Sequence, residues 1–321
     1  MSIPSLKNLL LASALLVANA HAAYPDKPIR LVVPWAAGGS TDAIARAVAQ
    51  RMTESMGQSV VVDNRSGASG QIGTDAVAKS PPDGYTLGIV ELPHAIAPAV
   101  FTRLPYDLTR DFAPVSLVGT SPLMLFVNAS HYKTGDIAGF LKNGRISPTP
   151  LPVAHSGNGS ISHLSGELFA SATHIKINAV PYRGSAPALT DVAAGVVTGH
   201  FSTLASGSSL LGSGKVSALM VTGASRFSGL PDVPTAGEAG ITGMQFNQWW
   251  ALVAPAATPP ELVQRLNREV LAALAHPATR ERLTTLGIEL KGSSPEALRV
   301  FMRSEVEHWG NVVRKAGINP E

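Results

Sequence analysis

The chain of 321 residues contains no cysteine. Disulfides, thiolate metal sites, cysteine nucleophiles and lipid attachment through cysteine are therefore excluded. Charge is sparse: Asp, Glu, Lys and Arg make up 15% of the chain, with a net balance of +3. The basic residues form no block, so neither a nucleic acid nor a membrane surface is expected as a partner. No stretch after the N-terminus reaches the roughly 18 uninterrupted apolar residues that a spanning helix needs. His94, His155 and His200 are scattered, and none stands at metal-ligand spacing from a carboxylate. Gly38-Gly39-Ser40-Thr41 lacks the lysine of a phosphate-binding loop, and no G-x-G-x-x-G fingerprint opens a helix there. No metal and no cofactor are expected.

What is present begins with an export signal. Lys7 supplies a positive start, Leu9 to Val17 a short apolar run, and Ala20-His21-Ala22 a small-x-small cleavage site, with Ala18-Asn19-Ala20 as the alternative. Residues 1–22 read as a secretory signal peptide, so the mature protein is expected to be exported. Its removal leaves roughly 300 residues, which suits two domains better than one core.

The organising stretch is Leu31 to Arg46, LVVPWAAGGSTDAIAR. Leu31, Val32 and Val33 suit a buried strand, and Pro34 ends it because it cannot donate to a ladder. Ala36, Ala37, Gly38 and Gly39 leave the backbone open to close approach. Ser40, Thr41 and Asp42 offer helix caps, and Ile44, Val48 and Met52 mark one apolar face of the helix that follows. Such a helix start presents free N–H groups at the positive end of the macrodipole, a seat for an anion.

The device recurs. Val60 to Val62 lead into the loop Asp63 to Gly70 and a helix over about Gln71 to Lys79. Val153 to His155 lead into Ser156-Gly157-Asn158-Gly159-Ser160, and Ile175 to Val180 into Pro181 to Ser185. Further strands are expected at Tyr85 to Val90, Val115 to Val118, Leu123 to Val127, Val196 to Phe201, Val216 to Thr222 and Trp249 to Val253. Phe101 to Pro114 reads as loop. Thr258, with Pro259 and Glu261, reads as a capping box, and Ser294 as the cap of the last helix. Repeated strand–loop–helix units imply an α/β fold whose ligands sit at strand carboxyl ends. Two Gly/Ser loops precede Leu123 and two follow it. A crossing between lobes near Leu123 would let all four converge on one cleft.

Single residues leave alternatives open. Arg65 and Arg183 suit either a surface charge or a ligand contact. Trp35 suits either stacking on a ligand or closing the core. Ser160 and His163, with Glu167, invite a hydrolase or lyase reading. The G-x-S-x-G elbow is missing there, however, and a spacing of three on one helix is poor for a triad.

The segments YPDKPIRLVVPWAAGGSTDAIAR, VVDNRSGASGQIGTDAVAKSPPDGYTL, HSGNGSISHLSGELF, VPYRGSAPALTDVAAG, LPDVPTAGEAG and ALVAPAATPPELVQRLN run in order through nearly all of the mature chain. Together they resemble the Bug family of periplasmic solute receptors, associated with tripartite tricarboxylate transporters. The resemblance implies a type II periplasmic-binding-protein fold. Residues 23–122 and 223–321 would form the first α/β lobe and residues 123–222 the second, closing on one small carboxylate. Carried onto this sequence, it implies contacts from Trp35, Ala36, Ala37, Gly38, Gly39 and Thr41, and from Ser66, Gly67, Ala68 and Ser69. From the second lobe it implies Ser156, Gly159, Ser160 and His163, then Tyr182, Arg183, Gly184 and Ser185. The family often carries an acid at the end of the strand that here reads Gly199-His200-Phe201-Ser202. Ser202 stands in its place, which argues against a ligand ammonium. The expected function is capture of a small organic acid and delivery to a membrane transporter, by a monomer without catalysis. A sensor partner of a membrane kinase is the other binding reading.

Overall fold

The computed structural model describes residues 24–315. The expected signal peptide lies outside the described residues. Among the described residues there are ten strands and ten α-helices, which alternate for most of the chain. β1 (Ile29–Val33), β2 (Val60–Asn64) and β3 (Thr86–Glu91) are parallel neighbours in the order β2-β1-β3. α1 (Ser40–Met56) and α2 (Gln71–Ala78) connect them, and α3 (Leu92–Val100) follows β3. α1 buries Ile44, Val48 and Met52 completely, as its four-residue apolar spacing requires.

The chain then enters β4 (Phe112–Asn128), a single strand of 17 residues where two shorter strands were expected. Its prolines explain the difference. Pro114 sits where the register slips, and Pro122 sits where the ladder changes partner, so neither missing N–H breaks a bond that the strand needs. Up to Pro122, β4 pairs antiparallel with β9 (Asn247–Pro255), whose other edge pairs with β3. From Leu123 onward it pairs with β7 (Gly199–Thr203) and β8 (Val216–Val221) instead. On the far side of β7 lie β5 (Leu151–His155) and β6 (Ile177–Pro181), both parallel to it in direction. α4 (Ile137–Ile146), α5 (Ile161–Thr173), α6 (Ser185–Ala194) and α7 (Leu204–Gly212) connect this half. The first half is completed by α8 (Pro260–Ala275), α9 (Pro277–Thr285), the short β10 (Glu289–Leu290) against β4, and α10 (Pro295–Lys315).

β4 is buried on both faces in its second part. Leu123, Leu125 and Val127 join one apolar cluster, and Met124 and Phe126 join another on the opposite face, the period of two that a central strand shows. A third cluster gathers Leu31, Val33, Ile44, Val48, Trp250, Leu266 and Val270 between β1, β9, α1 and α8.

Three helices form where the sequence carries no helix reading, and one expected cap changes. α3 occupies a stretch with two prolines, Pro93 in its first turn, where no N–H partner is missing, and Pro98 inside it. α7 and α9 form without a strong periodic signal. α8 starts after Pro259, so Thr258 is not its cap; the Thr258 hydroxyl donates to the Pro255 carbonyl at 2.7 Å. Ser294 does cap α10, accepting from the Ala297 N–H at 3.2 Å. Pro295 is that helix's first residue.

Candidate functional site

A cleft opens between the two halves at the carboxyl ends of β1, β3, β5 and β7. Five helices begin on it. Gly39 to Asp42 bring the start of α1, Glu91 and Pro93 that of α3, Ser160 to Ser162 that of α5, Gly184 to Pro187 that of α6, and Thr203 with Ser206 that of α7. Each presents N–H groups without intrahelical partners.

The first loop is built as its residue types suggest. Gly39 is extended (φ −85°, ψ 176°), and a side chain there would meet open space. Asp42, in the first turn of α1, turns away from the cleft. It accepts from the Gly38 N–H at 3.1 Å, the Arg46 Nε at 2.9 Å and the Asn64 Nδ2 at 3.1 Å. Burial pushes its carboxyl pKa up, but these hydrogen bonds and the Arg46 charge outweigh burial and hold it below the usual range. Asn64, at the end of β2, also donates to the Trp35 carbonyl, which ties the loop to the neighbouring strand.

Of the residues expected at the site, Trp35, Ala36, Ala37, Gly39, Thr41, Ser156, Ser160, Arg183, Gly184, Ser185 and Ser202 line this cleft. The others take different places. The Gly38 N–H is held by Asp42. Ser66, Gly67 and Ala68 are not among the residues that line the cleft. Gly70, at φ 89°, sits where an added Cβ would come within 3.4 Å of Pro34 and Trp35, so the end of that loop packs against the first loop. The Ser69 hydroxyl crosses between the halves to the Asn158 carbonyl. Gly159 lies against Val100 and Phe101 of the other half. His163 stacks on His155 with ring centroids 4.5 Å apart. The Tyr182 hydroxyl donates to Asp191 at 2.7 Å, which turns it toward α6.

The hydrolase pairing is not assembled. Ser160 Oγ accepts from the His163 N–H as the cap of α5. His163 Nδ1 accepts from the Gly159 N–H, and Nε2 faces Glu167 at 3.9 Å. Arg65 pairs with Asp63 at 2.7 Å on the surface. Arg183 is exposed at the cleft and makes no hydrogen bond or ion pair with another described residue. Trp35 lines the cleft and packs against the core cluster of β1, β9, α1 and α8.

Two lining residues carry no signal in the sequence: Glu91, the last residue of β3, and Gln248, near the start of β9. Glu91 is 3% exposed and carries no ion pair among the described residues. Its Oε2 accepts from the Thr41 hydroxyl and the Gln248 amide, both at 2.8 Å. Trp250 Nε1 donates to Thr41 Oγ1 at 3.0 Å, which leaves the Thr41 proton for Glu91. Burial pushes the Glu91 carboxyl up to about 7, against the donors gathered around it. His94, one turn further on, is buried and hydrogen-bonded to Thr74 at 2.8 Å; burial lowers it to about 4, and it acts as a neutral structural group.

The family model described as tripartite tricarboxylate transporter family receptor matches residues 44–318. The chain belongs to this receptor family. It is similar to the protein BugT of Bordetella pertussis, at 37% identity over 92% of this chain and 90% of that one. The solved structure of the periplasmic binding protein BugD matches with a TM-score of 0.89 and 33% identity, over 93% of this chain and all of that one. The R. palustris protein Rpa4515, solved with adipate, matches with a TM-score of 0.88 and 39% identity, again over 93% and all of the two chains. The receptor's fold is thus the α/β periplasmic-binding-protein fold of the Bug type.

Proposed function

We propose that this receptor binds a small organic acid in the cleft between its halves and hands it to the membrane subunits of a tripartite tricarboxylate transporter. The observation that carries the reading is the convergence of helix starts on one cavity. On the side of α5, α6 and α7, three helix starts and Arg183 line the cleft, and no acid does. Each start favours an anion by about 0.3–1 kcal/mol when exposed and more when partly buried. Hydrogen bonds to a charged group add roughly 1.5–3 kcal/mol each. Several together hold a carboxylate with Arg183 adding affinity at the rim. The adipate in Rpa4515 supports the same ligand class. The ligand contacts are assigned to Trp35, Ala36, Ala37, Gly39 and Thr41 in one lobe, and to Ser156, Ser160, Arg183, Gly184, Ser185 and Ser202 in the other. The lobes are 23–122 with 223–321, and 123–222, joined where β4 changes partner.

The test is thermal unfolding with four- to six-carbon dicarboxylates and their diamides. The acids raise Tm and the amides do not; equal stabilisation by both would refute the anion seat. The receptor works as a periplasmic monomer. Intact mass of the exported chain, shorter by 20 or 22 residues as Lys7 and the Ala-x-Ala sites require, and a one-chain mass in light scattering check these two points.

A further inference from the structure

The cleft's two walls differ in charge and in unmet hydrogen bonds. The wall from the second half carries Arg183 and the starts of α5, α6 and α7. The wall from the first half carries both acids, Asp42 and Glu91. Asp42 is committed to Arg46, Asn64 and its own loop, but Glu91 has neutral neighbours alone: Thr41, Gln248, the two indoles of Trp35 and Trp250, and the neutral His94. A buried carboxyl with no cation beside it is costly to ionise unless something brings one, or at least a further donor. The residue beside it has the same need. Gln248 is 4% exposed and lines the cleft, and its amide N–H already goes to Glu91, while its carbonyl Oε1 is buried without any partner. An acceptor of this kind left empty is destabilising, and a ligand donor would satisfy it.

We infer that Glu91 and Gln248 form a second subsite, which takes a hydrogen-bond donor of the ligand, an ammonium or a hydroxyl, while the opposite wall holds its carboxylate. This rests on the carboxylate-receptor reading and narrows it to amino or hydroxy acids. It also removes the expectation drawn from Ser202. The acid missing at the end of β7 is supplied from the facing wall by Glu91, which lines the same cleft.

The experiment is calorimetric titration with matched sets that differ at one carbon: succinate, malate and aspartate; glutarate, 2-hydroxyglutarate and glutamate; adipate, 2-hydroxyadipate and 2-aminoadipate. In the set that fits, the hydroxy or amino member binds at least about tenfold tighter than the plain diacid, the difference a single charge-assisted hydrogen bond makes. Its affinity rises from pH 6 to pH 8 as Glu91 ionises, with Asp42 and Arg183 as the other charged groups on the cleft. In Glu91→Gln, the preference shrinks to within about twofold and the pH dependence flattens. The wild-type series stands without the variant, and melting of Glu91→Gln shows whether it is folded. If plain diacids bind as tightly as their substituted partners, this inference falls and the carboxylate reading stands. If none of the acids binds, both fall.

Discussion

Gly39→Val abolishes the ligand-induced rise in Tm while leaving the unliganded protein folded. Gly39 is the last residue before α1 and lines the cleft. Its backbone is extended, with φ at −85°, a conformation that valine adopts without strain. No protein atom lies within 4 Å of an added Cβ, so the new side chain stands in the cavity and not in the core. It occupies the space where a ligand would approach the N–H groups of α1. The loss is steric and complete for acids that need that approach. Arg183→Ala behaves differently. It removes one exposed cation from the rim and leaves the backbone donors, so binding weakens by about tenfold, the worth of one charge-assisted hydrogen bond, and persists. A Gly39→Val protein that binds the acid as tightly as wild type would remove α1 from the site.

The second large effect is on stability. Trp250 is completely buried between β1, α1 and α8, and its indole N–H holds Thr41 at 3.0 Å. Trp250→Ala removes the largest side chain of that cluster and leaves a cavity, at a cost of about 3–5 kcal/mol. For a chain of this size, that lowers Tm by on the order of 10 °C. Trp250→Phe keeps most of the volume and loses the indole donor, so its stability loss is smaller. Thr41 is then free to turn its proton away from Glu91, and the pH dependence of ligand binding changes. A Trp250→Ala protein that melts within about 2 °C of wild type would contradict the packing described here.

The strand–loop–helix unit at Leu31 to Arg46 was legible because three local rules coincide there: a β-branched run, a proline stop and a four-residue apolar period. Asp42 shows the limit of such reading. An acid in the first turn of α1 opposes an anion at that helix start, and only its three partners in space, the Gly38 N–H, Arg46 and Asn64, turn it away. The loop at Ser66 to Ser69 has a composition like that of the first loop, yet its Ser69 reaches the Asn158 carbonyl of the other half and the Gly70 that follows packs against Pro34 and Trp35, because composition does not say what a loop meets. α3 was hidden by Pro93 and Pro98, which are tolerated in a first turn and in a short helix held by its neighbours. Glu91 was the largest omission. An acid at the end of a strand resembles any surface charge until β9 and α1 close over it, and those contacts span 157 and 50 residues of sequence.

A small acid is expected to draw the two halves together about β4 and the connection from β8 to β9. The halves already touch through Ser69 and Asn158. Small-angle X-ray scattering of the mature protein, first stripped of bound ligand and then saturated with the acid giving the largest rise in Tm, tests this directly. The radius of gyration falls on saturation, toward the roughly 19 Å of a compact chain of this length, and the diamide of the same acid leaves it unchanged. An identical radius with and without saturating acid would contradict the account.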